Sequence, residues 1–106
     1  MSTQKHYSIK YSIRARYDLH DIRDYITSKF KAPETAKNQV QRITHTIRSL
    51  EFFPKAHRIR KINSKGEEIR YVPVDNYTIF YSVNDVKDFV NIARIIYGRC
   101  NITEII

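Results

Sequence analysis

Arg70, Arg94, Tyr97 and Arg99 are the side chains best suited to phosphodiester chemistry without a metal. RNA cleavage needs the ribose 2′-OH activated, the in-line phosphorane charge stabilised and the leaving 5′-oxygen protonated. Guanidinium groups suit the second task. A tyrosine can supply the proton or stack its ring on a base. Arg70 and Arg99 are equally suited to surface pairing with Glu67, Glu68 or Glu104. The outcome depends on which strand face each occupies, and alternation alone does not assign faces.

A second concentration of charge lies just upstream. The stretch from Lys55 to Arg70 holds Lys55, Arg58, Arg60, Lys61, Lys65 and Arg70 against Glu67 and Glu68, an excess of four positive charges. It reads either as solvated surface or as an electrostatic footprint for nucleic acid or an acidic protein segment. Tyr71 and Tyr77 would support nucleic-acid stacking if they faced outward, but alternating strand tyrosines more often pack inward with the hydroxyl reaching water. His6, His20, His45 and His57 are too dispersed for a zinc motif, and no metal or cofactor is expected. Asp18, Asp21 and Asp24 alternate with Arg14, Arg16 and Arg23, the pattern of an ion-paired helix surface. No Gly-rich phosphate loop is present, and Cys100 has no neighbouring His to activate it.

The elements that must position these groups follow from periodicity. From His6 to Ser12, Tyr7, Ile9 and Tyr11 alternate with Ser8, Lys10 and Ser12, a half-buried strand. After Arg14 the period lengthens: Ala15, Leu19, Ile22, Ile26 and Phe30 form the apolar stripe of a helix. Pro33 breaks it and starts a second helix, with Ala36, Val40, Ile43, Ile47 and Leu50 as its stripe and Phe53-Pro54 as its end. Asn63–Gly66 is a turn signal, followed by a strand over Glu67–Val74. Asp75-Asn76 is a two-residue hairpin turn into Tyr77–Val83, and Asn84–Asp88 turns into a last strand, Phe89–Tyr97. Pro73 implies an edge position or a broken ladder bond. The expected fold is α+β with two layers, in the order β-α-α-β-β-β: a helical hairpin on an antiparallel sheet whose last three strands form a meander.

Length and composition set the outer bounds. The chain has 106 residues, enough for one domain over 1–106, and 42% of them are hydrophobic. With 2 Gly and 3 Pro it carries no disordered or repetitive segment. No apolar run approaches the roughly 20 residues of a membrane span, and the first residues lack the apolar core of a secretion signal. One Cys excludes an internal disulfide and fits a reducing cytoplasm. The net charge of +8 favours polyanionic or acidic partners.

Taken together, the motifs resemble the RelE/ParE superfamily of small bacterial toxins from type II toxin–antitoxin modules. The matching residues are Ala15, Asp18-Leu19, Ile22 and Tyr25-Ile26 in the first helix, then Pro33-Glu34-Thr35-Ala36 and Phe53-Pro54 with His57-Arg58. The run Ile69–Tyr81 and the ending Arg94-Ile95-Ile96-Tyr97-Gly98-Arg99 complete the pattern. The resemblance implies a cognate acidic antitoxin as partner, and a homodimer or a heterotetramer with that antitoxin as the assembly. In the RelE branch it implies an endonuclease cutting mRNA on the ribosome; in the ParE branch, a poison of DNA gyrase without catalytic residues of its own. After Gly98-Arg99 the RelE branch usually carries a catalytic arginine where this chain has Cys100, and it tends to carry a tyrosine near the end, where this chain has Ile105-Ile106. A thiol cannot replace a guanidinium beside a phosphorane. The ParE-like mechanism is therefore favoured over RelE-like cleavage, and a basic nucleic-acid-binding module that shares the fold without toxicity is the further alternative. Tyr17, Tyr25 and Phe30, on outer helix faces, are expected to dock an amphipathic acidic antitoxin segment.

Overall fold

The computed structural model describes residues 5–98. The first strand, β1 (Ser8–Tyr11), runs into Ser12, which ends it and starts the helix. The Ser12 hydroxyl accepts from the Ala15 N–H at 3.0 Å and donates to the Ala93 carbonyl at 2.8 Å. Such a cap contributes about 1 kcal/mol, and here it also pins the helix start to the sheet. The helix α1 (Ile13–Phe30) buries Ala15, Ile22 and Ile26. It stops at Lys31, whose φ of 49° is left-handed. Two residues later Pro33 opens α2 (Pro33–Ser49), which buries Ala36, Ile43 and Ile47, with Leu50 just beyond its end.

After a 3₁₀ turn at Pro54–Ala56 come β2 (Ile59–Ile62), β3 (Glu68–Val74), β4 (Tyr77–Asn84) and β5 (Phe89–Tyr97). They form one five-stranded sheet in the order β1-β5-β4-β3-β2. The α+β layering and the helical hairpin are as expected, but two features differ from the sequence reading. The meander has four strands, because Ile59–Ile62 pairs antiparallel with β3. And β1 lies parallel to β5, so the sheet is mixed. The two helices and the rest of the sheet lie between β1 and β5 in sequence, giving ample chain for the crossover that parallel neighbours need.

The helices cover one face, where Ile22, Ile43, Ile47, Leu50, Ile79, Tyr81, Val90 and Ile92 form the main core. On the other face Ile69 and Phe80 are buried, with Tyr71 and Ile96 against them. Polar ties fasten the turns. Asp75, at φ 54° in the β3–β4 turn, accepts from Gln39 and Arg42 of α2. Asp85, in the β4–β5 turn, accepts from the Tyr7 hydroxyl at 2.9 Å and from Lys55 at 2.6 Å.

The two edges of the sheet are finished differently. Where β1 ends, the Ser12 N–H bonds the Ile92 carbonyl, and the Asp18 carboxylate accepts from the Ile95 N–H at 2.9 Å. The free rim of β5 is thus capped by the start of α1. On the β3 side, pairing with β2 ends at the bond from the Tyr71 N–H to the Arg58 carbonyl. Pro73, exposed beyond that point and opposite Thr78, has no N–H to leave open on the rim.

Candidate functional site

Arg70 projects from β3 on the helix-facing side, beyond the end of α2, and its side chain is only 13% exposed. It donates to the His57 carbonyl at 2.6 Å and more weakly to the Lys55 carbonyl at 3.4 Å. Glu68 lies at 3.8 Å. The Tyr81 hydroxyl donates to the Pro54 carbonyl from the same side. The 3₁₀ turn is therefore held from below by a guanidinium and a phenol. Burial first, and the Arg70 charge second, push the His57 pKa below its usual range. Burial likewise drives the Tyr81 phenol well above its ordinary pKa, with Arg70 opposing. In this arrangement Arg70 spends its donors on backbone carbonyls.

Arg94 stands opposite Phe80, on the other face of the sheet. It reaches around the rim of β5 to Asp18 on α1 in a two-pronged pair, 2.8 Å from Nε and 3.0 Å from the terminal nitrogen. Side-chain exposures of 19% and 14% make this a largely desolvated contact. The sequence placed Asp18 on a helix surface paired with its neighbours; its partners instead lie 76 and 77 residues away.

Tyr97 is at the far end of β5, 67% exposed, with its ring edge-on to Tyr77 at 5.4 Å. A cleft of about 270 Å³ opens there between Pro73, Asn76, Tyr77, Thr78, Tyr97 and Gly98. Along β4, Tyr77 pairs with Tyr97 and Tyr81 with Arg70, so four residues, about 13 Å, separate these positions. The register thus puts Arg70 and Tyr97 at different ends of one face and Arg94 on the other. It does not gather the three at one phosphate. Arg99 and Cys100 lie outside the described residues.

Surface groups behave differently. Tyr17, Tyr25 and Phe30 are all more than half exposed on α1. Phe30 meets Tyr25 edge-on at 6.2 Å, and Lys29 lies over the Tyr25 ring. Tyr25 and Tyr97 both help raise the pKa of Tyr77, after burial. Phe30 with Tyr25 on α1, and Tyr77 with Tyr97 where β4 and β5 meet, form two edge-on ring pairs. Tyr77 is itself buried, and Tyr71 is half-buried on the opposite face. Among the basic residues, Lys55 is engaged by Asp85. Arg58, Arg60, Lys61 and Lys65 make no ion pair among the described residues, and they surround β2. Among the described residues no three His, Cys, Asp or Glu side chains group to hold a metal, and no helix is long and apolar enough to cross a membrane.

A family model described as the ParE toxin of the parDE type II toxin–antitoxin system matches residues 9–101. The chain belongs to the ParE toxin family. This toxin also shares its fold with three solved structures of low sequence identity. The chromosomal ParDE system of P. aeruginosa matches at 20% identity and a TM-score of 0.70, over 90% of this chain and 99% of the other. An archaeal RelE–RelB complex from Pyrococcus horikoshii gives 18% and 0.61, covering 89% and 98%. A RelBE complex from Mycobacterium tuberculosis gives 14% and 0.60, covering 95% and 100%. No curated protein sequence is significantly similar to the toxin.

Proposed function

We propose that this type II toxin arrests growth by binding DNA gyrase and blocking its cycle, and that a cognate acidic antitoxin neutralises it. The observation that carries the reading is the commitment of Arg70 and Arg94. Each is bonded to protein acceptors, and the two stand on opposite sheet faces. Phosphodiester cleavage needs donors preorganised around one developing charge. A toxin that acts by binding needs only a presented surface, and here that surface comprises the exposed rings of Tyr17, Tyr25 and Phe30 with the cations around β2. In this reading Tyr17, Tyr25 and Phe30 receive an amphipathic antitoxin segment, and Lys55, Arg58, Arg60, Lys61 and Lys65 face the target.

The second reading is ribosome-dependent mRNA cleavage, favoured by one feature: Tyr97 is presented beside a cleft from which Arg99 follows directly in sequence. The toxin half of the proposal is tested by expression. Producing the chain alone in bacteria should stop growth, and co-producing the protein of the adjacent reading frame should restore it. Normal growth with abundant folded chain would overturn the proposal.

A further inference from the structure

The solvent face of α2 has a composition that packing alone does not require. At about 100° per residue, Asn38, Gln41 and His45 lie along the line opposite the buried Ala36, Ile43 and Ile47. Lys37 and Arg48 flank that line on one side and Arg42 on the other, and all six polar side chains are exposed. A merely solvated helix interleaves charges of both signs, as α1 does with Asp21, Arg23 and Asp24. In α2, Glu34 sits in the first turn, where its charge answers the helix dipole. From Thr35 to Leu50 no residue is acidic. Lys37 and Arg48 make no ion pair among the described residues. Beside Arg42 a shallow hollow of about 560 Å³ runs down to Val74, so the β3 side of the helix stands open. The Asp75 carboxylate nearby is bonded to Arg42 at 2.7 Å, which offsets its charge.

We infer that α2 docks in the major groove of duplex DNA, with Asn38, Gln41 and His45 toward the base edges and Lys37, Arg42 and Arg48 toward the phosphates on either wall. The cylinder fits: a helix with its side chains is about 10–12 Å across, and the B-form major groove is about 12 Å wide. A carboxamide meets the donor and acceptor of adenine together, while flanking cations fix the register on the backbone. The same chemistry disfavours other partners. The major groove of an RNA duplex is too narrow for side chains to read. Single strands are gripped by stacking on rings, and α2 has no Phe, Tyr or Trp. An acidic protein surface needs apolar anchors, and none of the exposed large hydrophobic residues lies on α2. The inference rests on neither the gyrase reading nor the surface of α1 assigned to the antitoxin.

The test is fluorescence anisotropy of the full chain with labelled duplexes of about 16 base pairs and mixed sequence. The probes are plain DNA, RNA of the same sequence, and DNA carrying glucosylated hydroxymethylcytosine, whose sugars fill the major groove. At about 150 mM salt, plain DNA should bind at least about five-fold more tightly than either of the others. Lys37→Ala with Arg48→Ala should reduce the slope of log affinity against log salt by about two. Both side chains are exposed, and an unchanged urea midpoint verifies the fold. Selection from a random duplex library should enrich a motif, and Asn38→Ala with Gln41→Ala should erase its advantage over the mixed sequence. Equal affinity for the probes would reduce the binding to bulk charge and overturn groove docking. So would a slope that falls in Arg58→Ala with Lys61→Ala and not in the α2 variant, which locates the nucleic acid at β2. Absence of an enriched motif, or of any binding at about 100 μM chain, would overturn it too. Displacement of the DNA by polyglutamate as readily as by unlabelled duplex would point to an acidic protein instead. Growth arrest on expression is scored separately, so failure of the α2 face and failure of the toxin reading are distinguishable.

Discussion

Replacing Asp18 by Ala should destabilise the fold far more than removing any other helix-surface carboxylate. The carboxylate accepts from both prongs of Arg94 and from the Ile95 N–H, all within 3.0 Å. Its loss takes the carboxylate away from a guanidinium only 19% exposed and removes the acceptor of a backbone donor on the β5 rim. Breaking a fully buried pair costs about 3–5 kcal/mol, and an unmet backbone donor about 1–3. Because the pair keeps some solvent, about 2–4 kcal/mol is expected. That is a large share of the roughly 5–15 kcal/mol typical of a domain. Urea unfolding should show the midpoint falling by about 1–3 M with an unchanged slope. Asp18→Asn, which keeps an acceptor for Ile95, should fall between wild type and Asp18→Ala. A double-mutant cycle with Arg94→Ala should return a coupling of at least about 1.5 kcal/mol. An Asp18→Ala stability within about 0.5 kcal/mol of wild type would refute the reasoning. If Arg94 is structural, Asp18→Leu combined with Arg94→Leu should fold and still arrest growth.

Tyr81→Phe deletes the bond to the Pro54 carbonyl and should cost about 0.5–1.5 kcal/mol by the same urea assay. Asp85 has its pKa lowered below 3.8, first by the Lys55 hydrogen bond and then by Tyr7. Its contribution is therefore present above the unfolded pKa and is lost as pH falls through the folded one; Asp85→Asn should flatten that part of the acid limb of a stability–pH curve. His57 has its pKa lowered from 6.5 by burial and then by Arg70. Unfolding binds the proton more readily, so its contribution holds above about pH 6.5 and is lost below it. His57→Gln should remove this dependence, and thermal midpoints across pH 5–8 would reveal it.

The helices were legible because each carries an apolar stripe at helical spacing, with Ser12 and Pro33 marking their starts. The β3–β4 hairpin was equally plain, since Asp75 tolerates the left-handed turn and Val74 faces Tyr77. What escaped depends on distant partners. Ile59 and Ile62 break alternation, and a register shift between Ile59 and Lys61 accommodates them, so β2 exists through its pairing with β3 more than through its own pattern. Periodicity marked β1 as a strand without identifying β5 as its neighbour. Asp18, Asp21 and Asp24 look alike in sequence; only the packing of α1 against β5 singles out Asp18. For Arg70, residue type suggested a phosphate, and the nearby carbonyls of Lys55 and His57 supply its partners instead.

The central claim, that this toxin acts by binding a target and not by cutting RNA, is tested most directly by giving the purified chain both targets. Gyrase with supercoiling substrate should lose activity or accumulate cleaved DNA in proportion to toxin, while mRNA on programmed ribosomes stays intact. Codon-phased mRNA cuts that vanish in Arg70→Ala, with gyrase unaffected, would contradict it.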